Sequence, residues 1–97
     1  MSAFYLSNIA EKDIEKIIEY YKLKNPIVAD KFLDSLFKSF KLITDHPHIG
    51  HSKKDLTEKP VRFYTFKWHY LIVYQPSNPI EIIRVLSGYQ DIISILK

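Results

Sequence analysis

Three of the four histidines in this 97-residue chain lie within one short stretch, DHPHIGHSKKDL. His46, His48 and His51 could act as metal ligands or as acid–base groups that titrate near neutral pH. A zinc site usually needs three or four ligands held on rigid elements, and only Asp45 and Asp55 add carboxylates nearby. We therefore expect solvated loop histidines here, and we assign no metal site and no cofactor.

The fourth histidine, His69, stands alone between Trp68 and Tyr70 in a run that reads as a strand. It could serve as a general base, but no serine or aspartate has a sequence relation to it that suggests a triad. The chain has no cysteine, which excludes disulfides, thiolate metal sites and a cysteine nucleophile. We expect a strand histidine that faces the helices or solvent, and we assign no catalytic residue.

The most basic stretch of the chain follows the histidines directly. Its cations and interleaved aromatic residues are Lys53, Lys54, Lys59, Arg62, Tyr64, Lys67 and Trp68. Such a pattern can bind a nucleic-acid backbone and stack bases, but lysines along a sheet edge also oppose pairing with other sheets. Both interpretations remain open at this point.

Arg62 and Arg84 are the only arginines, and arginine suits bidentate recognition of carboxylate or phosphate. Alternation along residues 80–86 predicts that Arg84 shares a strand face with Ile82 and Leu86. An arginine on such a face needs a carboxylate, a set of carbonyls or a partner molecule. We expect a structural role within the sheet.

These groups are positioned by elements that the hydrophobic pattern predicts. Residues 3–6 read as a strand, and a helix follows to about residue 23, with Asn8 as its N-cap and Glu11 completing a capping box. Asn25 and Pro26 begin a second helix. Its apolar stripe comprises Ala29, Phe32, Leu33, Leu36, Phe37, Phe40 and Ile43. The long loop that follows contains Pro47 and Gly50.

The remainder of the chain reads as sheet. Strands are predicted at 61–66, 68–75 and 80–86, with a proline-bounded turn at 76–79, and a short helix after Asp91 ends the chain. The prediction is one α+β domain over residues 1–97, ordered β-α-α-β-β-β. Its last three strands form an antiparallel meander, and the helical hairpin covers one face.

Composition limits the class of protein. Hydrophobic residues make up 46% of the chain and the net charge is +3, so we expect a folded, mildly basic domain. The N-terminus lacks the features of a signal peptide, and no run approaches a membrane span. We expect a soluble cytoplasmic protein.

Several segments together resemble a known family. They are FYLSNIAEKDIEKIIEYY, the second-helix stripe, PHIGH, YLIVYQ and IIRVLSGYQDI, and they span residues 4–96. This order resembles the ParE branch of the bacterial RelE/ParE toxin superfamily, whose members include plasmid stabilisation proteins. The resemblance implies two helices packed on an antiparallel sheet. It also implies a P-x-x-G loop, matched by Pro47 and Gly50, in which histidines fill variable positions.

The resemblance implies the toxin of a type II toxin–antitoxin system that inhibits DNA gyrase and is neutralised by a cognate antitoxin. The rival is a RelE-like endoribonuclease that cuts mRNA on the ribosome, but the positions that match its cations hold Leu71 and either Tyr89 or Gln90. A gyrase poison is therefore expected rather than a catalyst. A third alternative is a degenerate, non-toxic member, because Ser87 and Gln90 replace residues of the usual ParE tail, L-H-G-x-R-D.

The resemblance also guides the choice of contact residues. Those expected to touch the target or nucleic acid are Lys53, Lys54, Arg62, Arg84, Tyr89 and Gln90. Those expected to bind the antitoxin are Phe32, Phe37, Phe40 and Trp68. The antitoxin segment is expected to be disordered until it binds, and a homodimer or a toxin–antitoxin heterotetramer is open.

Overall fold

The computed structural model describes residues 3–52, 60–66 and 69–87 of the chain. In order, they form β1 (Phe4–Leu6), α1 (Asn8–Lys24), α2 (Pro26–Asp45), β2 (Arg62–Phe66), β3 (Tyr70–Gln75) and β4 (Ile80–Ser87). This α+β order confirms the predicted β-α-α-β-β-β arrangement. The helix expected after Asp91 lies outside the described residues. Within the described ranges, no helix is long and apolar enough to cross a membrane.

The four strands form one mixed sheet in the order β1-β4-β3-β2. β2 pairs with β3 and β3 pairs with β4, both antiparallel, as the meander predicts. β1 pairs with β4 in parallel, through three residues opposite 80–82. The helical hairpin therefore connects β1, at one edge of the sheet, to β2 at the other.

The ends of both helices follow from side-chain capping. Ser7 is the N-cap of α1, and its hydroxyl oxygen accepts a hydrogen bond of 3.0 Å from the Ala10 amide. The prediction of Asn8 as N-cap was wrong because Ser7 is the last extended residue and Asn8 is already helical. Asn25 ends α1 and caps α2 as predicted, with its side chain accepting from the Ile27 amide at 3.0 Å.

The main core lies between the helices and one face of the sheet. From α2, Phe32, Leu36, Phe40 and Ile43 are fully buried in this core. A second buried cluster comprises Val61, Phe63, Leu71, Val73 and Leu86. Strand β3 contributes to both clusters and buries four consecutive residues, 71–74, as expected for a central strand.

A β-bulge in β4 changes which side chains share a face. Val73 pairs with Arg84, whereas the next residue, Tyr74, pairs with Ile82, which leaves Ile83 as the extra residue. Ile82 consequently belongs to the core beneath the helices, and Leu86 belongs to the second cluster. The prediction that Ile82, Arg84 and Leu86 share one face was therefore wrong.

His69 lies in the turn between β2 and β3, and its prediction as a strand residue was wrong. Its backbone φ is 65°, a left-handed conformation that histidine adopts more readily than most residues. Its amide donates a hydrogen bond of 3.1 Å to the Phe66 carbonyl, which closes the turn, and β3 begins only at Tyr70.

Candidate functional site

The Tyr74 side chain holds the loop that carries the histidines. Its hydroxyl donates to the Pro47 carbonyl at 2.7 Å and accepts from the Gly50 amide at 2.9 Å. The residue is fully buried, and desolvation raises the pKa of its hydroxyl, which keeps the donated proton in place. We call residues 47–51 the clamped loop.

Gly50 is required in the clamped loop because the loop backbone passes very close to Tyr74 and to the backbone of Phe63. A Cβ atom there would lie 2.7 Å from the Tyr74 hydroxyl oxygen and 2.9 Å from the Phe63 carbonyl oxygen. These are shorter than van der Waals contacts, and one of the opposing atoms belongs to the backbone. Only glycine lets the loop approach the sheet this closely.

Arg62 also holds the clamped loop. Its Nη1 atom donates to the Gly50 carbonyl at 2.7 Å and to the His48 carbonyl at 3.4 Å. Beside it, His51 and Phe63 exchange two backbone hydrogen bonds of 2.8 Å, so the loop extends the pairing of β2. Arg62, which was expected to contact the target, thus donates its Nη1 hydrogen bonds within the molecule.

The imidazoles of the histidine cluster are exposed. The His46 backbone caps the end of α2 through its amide, and the side chains of His46, His48 and His51 face solvent. Within 3–52, 60–66 and 69–87, no three histidine, aspartate or glutamate side chains gather as metal ligands. Asp55 lies outside these ranges.

Arg84 forms an ion pair with Asp13 of α1. Its Nε and Nη2 atoms donate to the two carboxylate oxygens at 2.8 and 3.0 Å, a bidentate geometry. These hydrogen bonds raise the pKa of the Arg84 guanidinium. The same carboxylate accepts from the Val85 amide at 3.1 Å. Arg84 thus has the structural role that was expected, but its partner is a carboxylate on α1 rather than a group of the sheet.

The start of α1 covers β4 beyond the last residue paired with β1. The Ser7 amide donates to the Ile82 carbonyl at 2.9 Å, and the Ser7 hydroxyl donates to the Ile83 carbonyl at 2.7 Å. With the bond from Val85 to Asp13, three backbone groups of this strand edge find partners in and next to α1. The Arg84–Asp13 ion pair is therefore one of the contacts between α1 and β4, which together we call the α1–β4 seam.

The aromatic residues expected to bind the antitoxin differ in exposure. Phe32 and Phe40 are fully buried because they face the sheet, so neither ring is available to a partner in this conformation. Phe37 lies at the border of the stripe and is 43% exposed, with its ring 6.3 Å from that of Phe4. Of these three, Phe37 alone offers a contact surface.

A groove of about 300 Å³ runs between α2 and β2. Its lining comprises Ser35, Lys38, Ser39, Leu42, Tyr64, Thr65 and Phe66. Ser39 fits beside the sheet because its hydroxyl donates to the Ser35 carbonyl within the helix. Sequence analysis missed this groove, although the small serines four residues apart on one flank of α2 were a signal for it.

Five of the predicted contact residues lie outside the described residues. They are Lys53, Lys54, Trp68, Tyr89 and Gln90. Arg62 and Arg84, which are described, lie at different places: the first at the clamped loop and the second at the α1–β4 seam.

The chain is similar to known proteins in both sequence and fold. Residues 4–92 match the family model described as the ParE toxin of the type II toxin–antitoxin system, parDE. A chain from the chromosomal ParDE TA system of P. aeruginosa shares the fold, with a TM-score of 0.72 and 21% sequence identity. That match covers 90% of this chain and 96% of the other. No curated protein matches the sequence. Because the family model spans most of the chain, this protein belongs to the ParE toxin family of type II toxin–antitoxin systems.

Proposed function

We propose that this toxin acts by inhibiting DNA gyrase through protein–protein contact, and that a cognate antitoxin neutralises it. Family membership supports the toxin assignment. The choice of gyrase inhibition over RNA cleavage rests on the contacts of the two arginines. Because gyrase acts on bacterial DNA, the proposed place of action is the bacterial cytoplasm.

The internal bonds of both arginines are the observation that favours a non-catalytic mode. A ribonuclease needs cations that face the scissile phosphate and stabilise the charge that develops on it. Arg84 instead gives two of its nitrogens to Asp13, and Arg62 gives Nη1 to the clamped loop. Freeing Arg84 would leave the partly buried Asp13 carboxylate without its cation, and freeing Arg62 would remove the side-chain donor to the Gly50 carbonyl.

The proposed antitoxin contact centres on α2. Phe37 is exposed on one flank of this helix, and the α2–β2 groove lies along the other flank, with Leu42 at its border. A segment that folds only on binding can wrap across both flanks and bury apolar area on each. We propose Phe37 and this groove as the two anchors of the antitoxin.

The test is induced expression in a bacterial host without antitoxin, with growth, DNA-damage response and bulk translation followed together. Gyrase inhibition predicts filamentation and damage signalling while translation continues at first. Immediate loss of translation, with message cut on ribosomes, would refute the proposal in favour of a ribonuclease. Normal growth at full expression would refute the toxic activity itself and support a degenerate member that only binds antitoxin.

A further inference from the structure

The two edges of the sheet differ in how they are protected. At the β2 edge, the clamped loop pairs with the strand through two backbone hydrogen bonds of 2.8 Å between His51 and Phe63. A charged residue, Arg62, begins this strand. Covering loops and charged side chains are means by which proteins stop sheet edges from pairing with other chains. At the β1 edge, residues 3–7 read AFYLS and contain neither a charge nor a proline.

The backbone of β1 presents polar groups along its outer side. The Ala3 carbonyl accepts a hydrogen bond of 3.1 Å from β4, and the Ser7 amide donates one of 2.9 Å to it. Because backbone groups alternate in direction along a strand, the amides and carbonyls of Phe4 and Leu6 point away from β4. Among the described residues, no strand lies beyond β1, and no backbone hydrogen bond reaches these two residues from outside the sheet.

An exposed aromatic ring lies beside this edge on each face of the sheet. Phe4 and Leu6 pack against the main core, so the Tyr5 side chain between them projects from the opposite face and is 47% exposed. On the helical face, the Phe37 ring lies 6.3 Å from the Phe4 ring. A strand added at the β1 edge would therefore meet main-chain partners and cover an aromatic ring on either side.

We propose that the β1 edge is a self-association surface, at which β1 pairs antiparallel with β1 of a second copy about a two-fold axis at Tyr5. In this register Phe4 of one copy lies opposite Leu6 of the other. Each of these two pairs exchanges two hydrogen bonds, which makes four. The two Tyr5 residues face each other in a non-hydrogen-bonded pair, where side chains approach closely. The two sheets become one continuous sheet.

A second copy is favoured over an unrelated peptide because the β1 edge matches itself. In a two-fold contact the same groups occur on both sides, so each outward amide of one strand meets an outward carbonyl of the other. No charged side chain of residues 3–7 opposes the approach. The strand has only three residues, which limits the contact to the class of weak interfaces below about 1,200 Å² in total. The dimer is therefore reversible, and it is independent of the proposed inhibition of gyrase.

The test is sedimentation equilibrium of the full-length toxin without antitoxin, from about 5 to about 500 μM. The wild type should pass from monomer towards dimer within this range. Tyr5→Lys places two ammonium groups opposite each other and should weaken association on the order of tenfold, and Tyr5→Glu should do the same with two carboxylates. An equimolar mixture of the two variants should regain the dimer, because the proposed register pairs position 5 with position 5.

Tyr20→Lys is the matched control, since Tyr20 is 52% exposed on α1 and the substitution adds the same charge. It should leave self-association unchanged. Urea denaturation verifies that each variant is folded, because Glu81 lies opposite Tyr5 on β4. The proposal is overturned if the wild type remains monomeric at about 500 μM, if Tyr5→Lys associates like the wild type, or if the mixture does not regain the dimer. A monomeric wild type whose antitoxin affinity falls in both Tyr5 variants would also overturn it and would assign the β1 edge to the antitoxin.

Discussion

Replacing Tyr74 with phenylalanine tests how the clamped loop is held to the sheet. The substitution keeps the buried ring and removes only the hydroxyl, which accepts from the Gly50 amide and donates to the Pro47 carbonyl. Gly50 is buried, so its amide would lose its partner without gaining water. An unsatisfied buried group costs about 1–3 kcal/mol, and we expect a loss of about 2 kcal/mol in the free energy of unfolding.

For a domain of this length, that loss corresponds to a fall in Tm on the order of 10 °C. Urea denaturation of both proteins should show a lower midpoint and an unchanged m-value, because the surface exposed on unfolding is nearly the same. Tyr20→Phe is the matched control, since Tyr20 is half exposed, and it should change stability by less than about 0.5 kcal/mol. Equal stability of Tyr74→Phe and the wild type would refute the reasoning.

Four further predictions follow from the same contacts. Gly50→Ala should lower stability by about 1–3 kcal/mol in urea denaturation, and less in a Tyr74→Phe background, because the closest opposing atom is then absent. Asp13→Asn should cost about 2 kcal/mol, measured in the same way, since Arg84 loses its anionic partner; an unchanged midpoint would show that the pair contributes nothing. Phe37→Ala should weaken antitoxin binding by about tenfold in calorimetry, whereas Lys22→Ala, an exposed control on α1 away from both proposed anchors, should not. Above about pH 10 the wild type should lose stability: Tyr74 has a raised pKa when folded, so the unfolded chain releases its proton first, and Tyr74→Phe should lose less.

The local elements could be predicted because their signals are local. The apolar stripe of α2 and the capping residues Asn25 and Pro26 lie within one helix, and the turn at 76–79 is bounded by its own prolines. The fully buried stretch of β3 was also readable from its β-branched and aromatic residues. Where one segment determines its own conformation, sequence was sufficient.

The missed features depend on residues far apart in the chain. The bulge at Ile83 arises from pairing between β3 and β4, and it decides that Ile82 and Leu86 face different clusters. Asp13 and Arg84 are separated by 71 positions, so chemistry predicted that the arginine needs a carboxylate without identifying which one. The same limit applies to Phe37, whose exposure follows from how α2 sits on the sheet.

The contact between Tyr74 and the clamped loop was missed for a related reason. The hydroxyl and the Gly50 amide are 24 positions apart, and nothing local marks a tyrosine in a central strand as the holder of a loop. The histidines suggested a chemical role, whereas the bonds that hold this loop come from Tyr74, Arg62 and backbone groups. The exposure of the three histidine side chains agrees with the expectation of solvated loop residues.

The proposed function is tested most directly by adding the purified protein to DNA gyrase and following the supercoiling of a relaxed plasmid. Inhibition of gyrase predicts loss of supercoiling in proportion to the toxin added, with restoration by the cognate antitoxin. Undiminished supercoiling at toxin in large excess over gyrase, with a folded protein that binds its antitoxin, would contradict the account.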